Sequence, residues 1–353
     1  MIITRPQHHQ HGLSLIELMI AITLSLVLTL GVIQIFSSSK QTNSTQTALG
    51  DLQENARFAL DLLSYDLRMA GNLGCNRNST VTNLAADVKL PGIGSGIVGY
   101  AYAGSPATLE LITDSAKNPA KAVNVEDTDA FVVRYVSPNA QSVASITVAA
   151  TDSVTLAARS TINGGDPVMI SDCHSADIFI AGPVTNTNKT ISMKDAKHFS
   201  KSYGSDAEVA PLNYVAYYIR QDNVTKVNNL YRSRVKGIVD IASPNRGEVD
   251  IQDHEPLLEG VDNMQLLYGE DLNGNGSSIR YVPAGTAGLD MNRVTSIRLS
   301  LLFRTIDNGL ASGDQSYWLN GVNTTMTTAD NSDKKLYRGF TTTIKLRNQG
   351  IGL

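Results

Sequence analysis

Leu13-Ser14-Leu15-Ile16-Glu17-Leu18-Met19-Ile20-Ala21-Ile22-Thr23-Leu24-Ser25-Leu26-Val27-Leu28-Thr29-Leu30-Gly31-Val32-Ile33-Gln34-Ile35-Phe36 is an apolar run in which Glu17 is the only charged residue. A helix over this stretch rises about 1.5 Å per residue, so it spans roughly 36 Å, enough to cross a bilayer. Its flanks are polar. The segment ahead of it, 1–12, carries one cation, Arg5, and the histidines His8, His9 and His11. Behind it stand Ser37-Ser38-Ser39-Lys40 and a long, mostly polar chain. The reading is a single N-terminal span followed by a large domain, with Arg5 favouring a cytoplasmic N-terminus. An ordinary secretory signal has a shorter apolar core and a small-x-small site after it. Here no Ala-x-Ala follows the core, and the small residue, Gly12, precedes it. Cleavage beside Gly12 keeps the apolar helix in the mature protein.

The helix is expected to continue. Gln41 to Thr47 is a weak polar stretch where fraying is expected. From Leu49 the apolar positions run Leu49, Leu52, Ala56, Ala59, Leu63, Leu67 and Ala70, a 3–4 stripe with one buried face. Asp51, Glu54, Arg57, Asp61 and Asp66 are read as lying mainly off that stripe. Gly71 and Gly74 then stand where C-terminal caps belong. A coiled coil is disfavoured, because the stripe lasts only two to three heptads and lacks a matching charge code beside it.

Composition narrows the function. The 353 residues hold 29 basic and 33 acidic side chains, a net charge of −4, with 18% charged and 42% hydrophobic residues. That excludes a wholly disordered chain and a many-span transporter. It also argues against bulk attraction to nucleic acid. Two cysteines, Cys75 and Cys173, exclude a cysteine-built zinc ribbon or ferredoxin site.

Beyond the helix the pattern is β. Ala130–Val136, Asp166–Ser171, Asn213–Arg220, Leu230–Val235 and Val294–Thr305 read as strands, with Ile297, Leu299 and Leu301 on one face of the last. Asn213–Arg220 and Leu230–Val235 are expected to pair as a hairpin across Gln221 to Asn229. Ile306 to Lys335, with the single tryptophan Trp318, reads as a long loop. No second helix of length is expected. The fold class is α+β, one long N-terminal helix packed on one antiparallel sheet or two.

Chemical motifs are weak. Gly94-Ser95-Gly96-Ile97-Val98-Gly99 matches G-x-G-x-x-G, but a dinucleotide site needs a strand before it and a helix after it. Leu90-Pro91-Gly92 precedes it and a short, broken stretch follows, so it reads as a glycine-rich loop. There is no P-loop and no G-x-S-x-G elbow. His174, His198 and His254 are the downstream histidines, and nothing assembles them into a triad. The His8-His9-Gln10-His11 tract has a metal-binding composition but falls in the segment expected to be removed. Asp271-Leu272-Asn273-Gly274-Asn275-Gly276 opens like an EF-hand loop, with Asp271, Asn273 and Asn275 as weak calcium ligands. Its twelfth position is Val282 where a glutamate is required, and a tight Asn-Gly turn fits better. No cofactor is expected. Arg232, Arg234 and Lys236 beside Tyr231 could form a basic stripe for DNA, but their alternation on a strand favours a solvated sheet face, so no nucleic acid is expected as partner.

Gly12-Leu13-Ser14-Leu15-Ile16-Glu17-Leu18-Met19-Ile20-Ala21 resembles the class III signal of type IV prepilins and type II secretion pseudopilins. Leu13 stands where phenylalanine is commoner. Asp66-Leu67-Arg68-Met69-Ala70-Gly71-Asn72-Leu73-Gly74-Cys75 resembles the end of the N-terminal helix in PilW-type minor pilins. Tyr337 to Asn348 is similar to the C-terminal end of that family. Leu257 to Gly269 is similar to it as well, and also to the J-type pseudopilin. The stretch from about 76 to 210 matches only loosely.

The resemblance implies cleavage between Gly12 and Leu13 by an inner-membrane prepilin peptidase and methylation of the Leu13 amine. It makes Glu17 the fifth mature residue, pairing with that amine on a neighbouring helix during assembly. A bland reading of Glu17, a glutamate one turn inside the span and tolerated near the interface, stays open. The implied organisation is a leader at 1–12, a membrane or filament-core helix at 13–36, its amphipathic continuation at 37–74 and a β-rich periplasmic domain at 75–353. In an oxidising periplasm Cys75 and Cys173 are expected to pair. The expected partners are other minor pilins, the major pilin and the inner membrane, with final placement in the pilus, at its tip. The implied role is a non-enzymatic structural subunit that primes pilus assembly. A J-type pseudopilin is the alternative, and a membrane-anchored periplasmic enzyme a more distant one.

Overall fold

The computed structural model describes residues 14–74, 80–85, 96–101, 127–185, 189–194, 197–222, 224–238 and 249–348. The chain divides into two compact units, Met1–Asp51 and Leu52–Leu353. Helix α1 runs without a break from Leu15 to Met69. The expected fraying at Gln41–Thr47 does not occur. Local back-bonding accompanies the helix there, with Thr42 Oγ1 donating to the Ser38 carbonyl at 3.0 Å.

In the first unit the apolar residues of α1 face outward all round. Leu15 is 76% exposed and Phe36 71%, with Leu24, Leu28 and Val32 between them exposed as well. A helix apolar on every side has no use for water and suits a membrane or a bundle of like helices.

The second unit is built on β-strands. In chain order they are β1 (Thr80–Asn83), β2 (Ile97–Tyr100), β3 (Ala130–Val136), β4 (Gln141–Thr147), β5 (Ser153–Leu156), β6 (Pro167–Ser171), β7 (Ser175–Thr185), β8 (Thr190–Met193) and β9 (Glu208–Gln221). There follow β10 (Asn228–Ile238), β11 (Val249–Glu259), β12 (Val261–Glu270), β13 (Arg280–Val282), β14 (Val294–Arg304), β15 (Gln315–Leu319), β16 (Val322–Met326) and β17 (Tyr337–Lys345). Every pairing among the described residues is antiparallel except β1 with β7. The only other helical element described is a 3₁₀ turn at Met291–Arg293.

The long strand β9 organises the larger sheet. Its second half pairs with β3 and β10, and β10 pairs with β11. Its first half pairs with β6 and β4. Because β6 also pairs with β7, β7 with β8, β8 with β5 and β5 with β4, these strands close a six-stranded barrel on the start of β9. Val143, Val154, Leu156, Val168, Ile170, Phe179, Ile191 and Val209 fill it. Alternation along β7 explains how: Phe179 and Ala181 point into the barrel, while Ile178 and Ile180 join a second cluster outside it. This barrel occupies the stretch that the sequence left least defined.

The smaller sheet has the order β13-β12-β14-β17. The chain enters it from β11 at a single residue, Gly260, with φ 77°. A Cβ there would lie 2.7 Å from the Arg304 carbonyl, so only glycine turns this corner. The hairpin β15–β16 lies inside Ile306–Lys335, where a loop was expected. Its aromatic and aliphatic residues Tyr317, Trp318, Leu319 and Val322 gather about the turn instead of alternating with polar ones, so no strand pattern shows in the sequence.

From Leu52 onward α1 packs against both sheets. Leu52, Ala56, Ala59, Leu63, Leu67 and Ala70 are buried among Phe131, Val133 and Tyr217 of the larger sheet and Met264, Leu266, Leu299 and Ile344 of the smaller one. The stripe read from the sequence is this face. Gly71 (φ 73°) and Gly74 (φ 69°) follow the helix end in left-handed conformation, as expected of caps.

Candidate functional site

The structure departs from the sequence reading first at Asp66. A period of 3.6 residues puts both Leu67 and Asp66 within the inward face, and Asp66 is 1% exposed. A buried carboxylate needs partners. Tyr217 on β9 donates to Asp66 Oδ2 at 2.5 Å, and Tyr135 on β3 donates to Oδ1 at 3.2 Å. Arg232 on β10 donates to Oδ2 at 3.4 Å and supplies the opposite charge. Burial, and then the negative charge of Asp66, push the Tyr135 phenol up to about 12 and the Tyr217 phenol far above its usual value. Both therefore stay protonated and remain donors. Three strands are thus fastened to one carboxylate near the end of the helix.

Arg232 is accordingly not on a solvated face, which corrects the reading of a basic stripe. The alternation was right, but the face carrying Arg232 turns toward α1, where Asp66 awaits a cation. Arg234 is exposed, and the side chain of Lys236 lies outside the described residues. The helix end is held by main-chain bonds too. Gly71 N–H donates to the Arg134 carbonyl and Val136 N–H to the Asn72 carbonyl, both at 2.8 Å. Asn348 Nδ2 reaches the carbonyls of Arg68 and Ala70 at 3.4 and 3.5 Å. The two Asn348 contacts reach acceptors that a helix C-terminus leaves orphaned.

The other sequence-marked residues fall as follows. Gly12, Leu13, Cys75 and the three N-terminal histidines lie outside the described residues. Glu17 sits in the first turn of α1. Cys173 has φ 70° in the turn between β6 and β7. Its neighbour Asp172 accepts from the N–H groups of His174 and Ser175 at 3.1 and 3.0 Å and from the Lys201 ammonium. Burial alone would raise the Asp172 pKa, but these bonds and the Lys201 charge outweigh it and bring the carboxyl to about 2.

Asp271 accepts from Asn273 N–H (3.1 Å), Gly274 N–H (2.8 Å) and Gly276 N–H (2.6 Å), and Asn273 Oδ1 accepts from Asn275 N–H at 3.3 Å. Arg293 donates to the Leu272 carbonyl at 2.9 Å. The loop is thus a chain of side-chain-capped turns with a cation already at its edge. Among the described residues no group of three His, Cys, Asp or Glu side chains could hold a metal ion. Of Gly94–Gly99, the part from Ile97 on is strand β2, paired with β3. A Cβ at Gly99 would run into the Tyr268 hydroxyl, which accounts for that glycine without a nucleotide.

The features that point to a function are therefore an outward-facing apolar helix with one carboxylate in its first turn, and a β domain locked to the end of the same helix. Residues 7–33 match the prokaryotic N-terminal methylation motif, and residues 216–348 match the type IV pilus-assembly protein W family. The chain is thus PilW-like over 216–348 and prepilin-like at its N-terminus. No curated protein and no solved structure matches it significantly. The two matched ranges hold both ends of the PilW-like architecture: the apolar part of α1, then the second half of β9 with β10–β17. The six-stranded barrel lies outside them. The methylation motif implies processing by a prepilin peptidase, and the apolar helix fits a membrane-anchored pilin.

Proposed function

We propose that this chain is a minor pilin of the type IV pilus that primes assembly, in a tip complex with other minor pilins and in contact with the major pilin. The observation that carries the reading is the pairing on one chain of the methylation motif at 7–33 with the pilus-assembly family at 216–348. Prepilin peptidase would cut between Gly12 and Leu13 and the Leu13 amine would be methylated. The apolar half of α1 would be held first in the inner membrane, with the β domain in the periplasm, and then in the filament core. There Glu17 would neutralise a neighbouring Leu13 amine. No catalytic role is assigned. A priming role is supported by the size of the β domain, which is large for a subunit repeated along a fibre.

The test has two arms. Deletion should remove surface pili and leave export of secreted enzymes intact. The reverse outcome would select the J-type pseudopilin reading. Quantitative mass spectrometry of sheared pili should find the chain scarce. A copy number equal to that of the main subunit would exclude the priming role.

A further inference from the structure

Beside the buried face of α1 lies an open groove of about 980 Å³ that the fold does not fill. One wall is the flank of the helix, with Arg57, Leu60, Tyr65, Arg68 and Met69. The other is β17 and the residues after it, with Phe340 and Arg347. β17 is the last strand of the smaller sheet, so the groove is where a fifth strand beside it would run.

The edge is ready for one. Leu346 N–H donates to the Thr295 carbonyl at 2.9 Å, and β14 and β17 pair in unbroken register. In an antiparallel ladder the residues whose main-chain groups face the partner alternate. Leu346, Ile344, Thr342 and Phe340 therefore face β14, and Thr341, Thr343 and Lys345 direct N–H and C=O to the other edge, which pairs with no strand among the described residues. The hairpin β15–β16 covers the start of this edge: Tyr337 N–H donates to Gln315 Oε1 at 3.1 Å, Tyr317 stacks on Tyr337, and a Cβ at Gly339 would meet the Trp318 carbonyl, so the stretch left for a partner is Thr341–Lys345. An open strand edge is a template for pairing with another chain.

The groove also has a charge preference. Arg57 lies 3.9 Å from Asp61, both well exposed, while Arg68 and Arg347 are exposed and form no ion pair among the described residues. Two exposed guanidinium groups thus flank a floor of Leu60, Met69 and Phe340, with Tyr65 60% exposed beside them. Arginine and tyrosine around an apolar floor are the residue types that carry binding energy at interfaces.

We propose that β17 accepts an extended, acidic segment from a neighbouring subunit of a different kind. The segment adds as a fifth strand at Thr341–Lys345, with carboxylates on alternate residues meeting Arg68 and Arg347. Strand addition supplies main-chain bonds, and the alternate side chains supply specificity. This inference rests on the reading of the chain as a pilus subunit and names the surface by which its domain engages a partner.

The experiment places a photo-crosslinking residue at position 343 in the full-length chain in piliated cells, and another at position 24 in the apolar helix as reference. Adducts are mapped by mass spectrometry. The expected result is an adduct from 343 on an acidic stretch of another pilus subunit. Its yield should fall about tenfold or more with Arg68→Glu plus Arg347→Glu, since a lost charge pair costs at least one decade of affinity. Both arginines are exposed and form no ion pair among the described residues, so the fold should survive, checked by an unchanged melting temperature. Lys345→Pro, which removes one outward N–H, should weaken the adduct independently of charge. An adduct from 24 with none from 343 would overturn the groove proposal and leave the pilin reading standing. No pilin adduct from either position would count against both. A 343 adduct on a second copy of this chain, or one indifferent to the arginine reversals, would also overturn the proposal.

Discussion

Tyr217 Oη and Asp66 Oδ2 lie 2.5 Å apart and 151 positions apart in sequence, joining the centre of the larger sheet to the last turns of α1. The carboxylate also holds Tyr135 and Arg232, so its loss strands a buried cation and two phenols. Asp66→Ala should destabilise the β domain by about 3–5 kcal/mol, the range for breaking a buried pair from one side. Tyr217→Phe removes one bond and leaves the charge pair, so about 1–3 kcal/mol is expected. Urea unfolding of the detergent-solubilised chain, followed by tyrosine fluorescence, measures both. Equal losses would show that the carboxylate matters only through Tyr217.

Asp172 gives the domain an acid-labile element. Its carboxyl is held at about 2, below the usual value of about 3.9 in an unfolded chain. Between those values the unfolded state binds more protons than the native one, so stability falls as pH falls. The difference in melting temperature between the native chain and Asp172→Asn should be full above about pH 4 and should close toward pH 2. A difference independent of pH across that window would mean that the carboxylate acts by shape alone.

Glu17→Gln separates charge from volume in the apolar helix. Insertion should be easier, because a charge is removed from the span. Processing should continue, since it depends on Gly12, and Gly12→Ala should block it with the leader retained. Co-purification with partner pilins should fail, because a buried amine without its carboxylate costs about 3–5 kcal/mol. Glu17→Asp should be intermediate. Normal piliation with Glu17→Gln would leave the bland reading, a tolerated glutamate.

The cysteine pair is testable through its surroundings. β1 runs parallel to β7 with Thr80, five positions after Cys75, opposite Ser175, two positions after Cys173. Gly74 and Ser171, close in sequence to the two cysteines, line one pocket of about 180 Å³. Thiol labelling of the unreduced protein should therefore find no reactive cysteine. The closed loop is about 100 residues, for which chain entropy gives up to about 4.7 kcal/mol. A Cys173→Ser variant with unchanged stability would show that the cross-link constrains nothing.

Calcium is expected to leave the domain unaffected. The three main-chain N–H groups that fill the Asp271 carboxylate are the ligand set this turn already has. A melting temperature raised by millimolar calcium, and lowered again by Asp271→Asn, would establish a cation site.

The sequence made α1 legible because its signals are local: an unbroken apolar run, then a 3–4 stripe from Leu52 to Ala70 ending at Gly71. Strands β3, β6, β9, β10 and β14 were legible too, being apolar and β-branched. What stayed hidden depends on partners far along the chain. Asp66 reads as a surface residue until Tyr135, Tyr217 and Arg232 are brought to it. The barrel is set by β9 pairing with β4 and β6 at one end and with β3 and β10 at the other. The hairpin at Trp318 clusters its apolar residues about the turn, so the alternation that marks a strand is missing.

The bond from Asn348 to the Arg68 carbonyl spans 280 positions. Ile344 and Leu346 belong to the same cluster as the helix stripe. An early helix is therefore covered in part by a strand made about 270 residues later. Until β17 is synthesised, the inward face of α1 can find only part of its cover, and contacts over such separations form slowly. The domain closes late, with its longest apolar stripe exposed in the meantime to whatever meets it first. A chain cut short before Tyr337 should keep its anchor and betray itself by that stripe, as a substrate for holding chaperones and proteases.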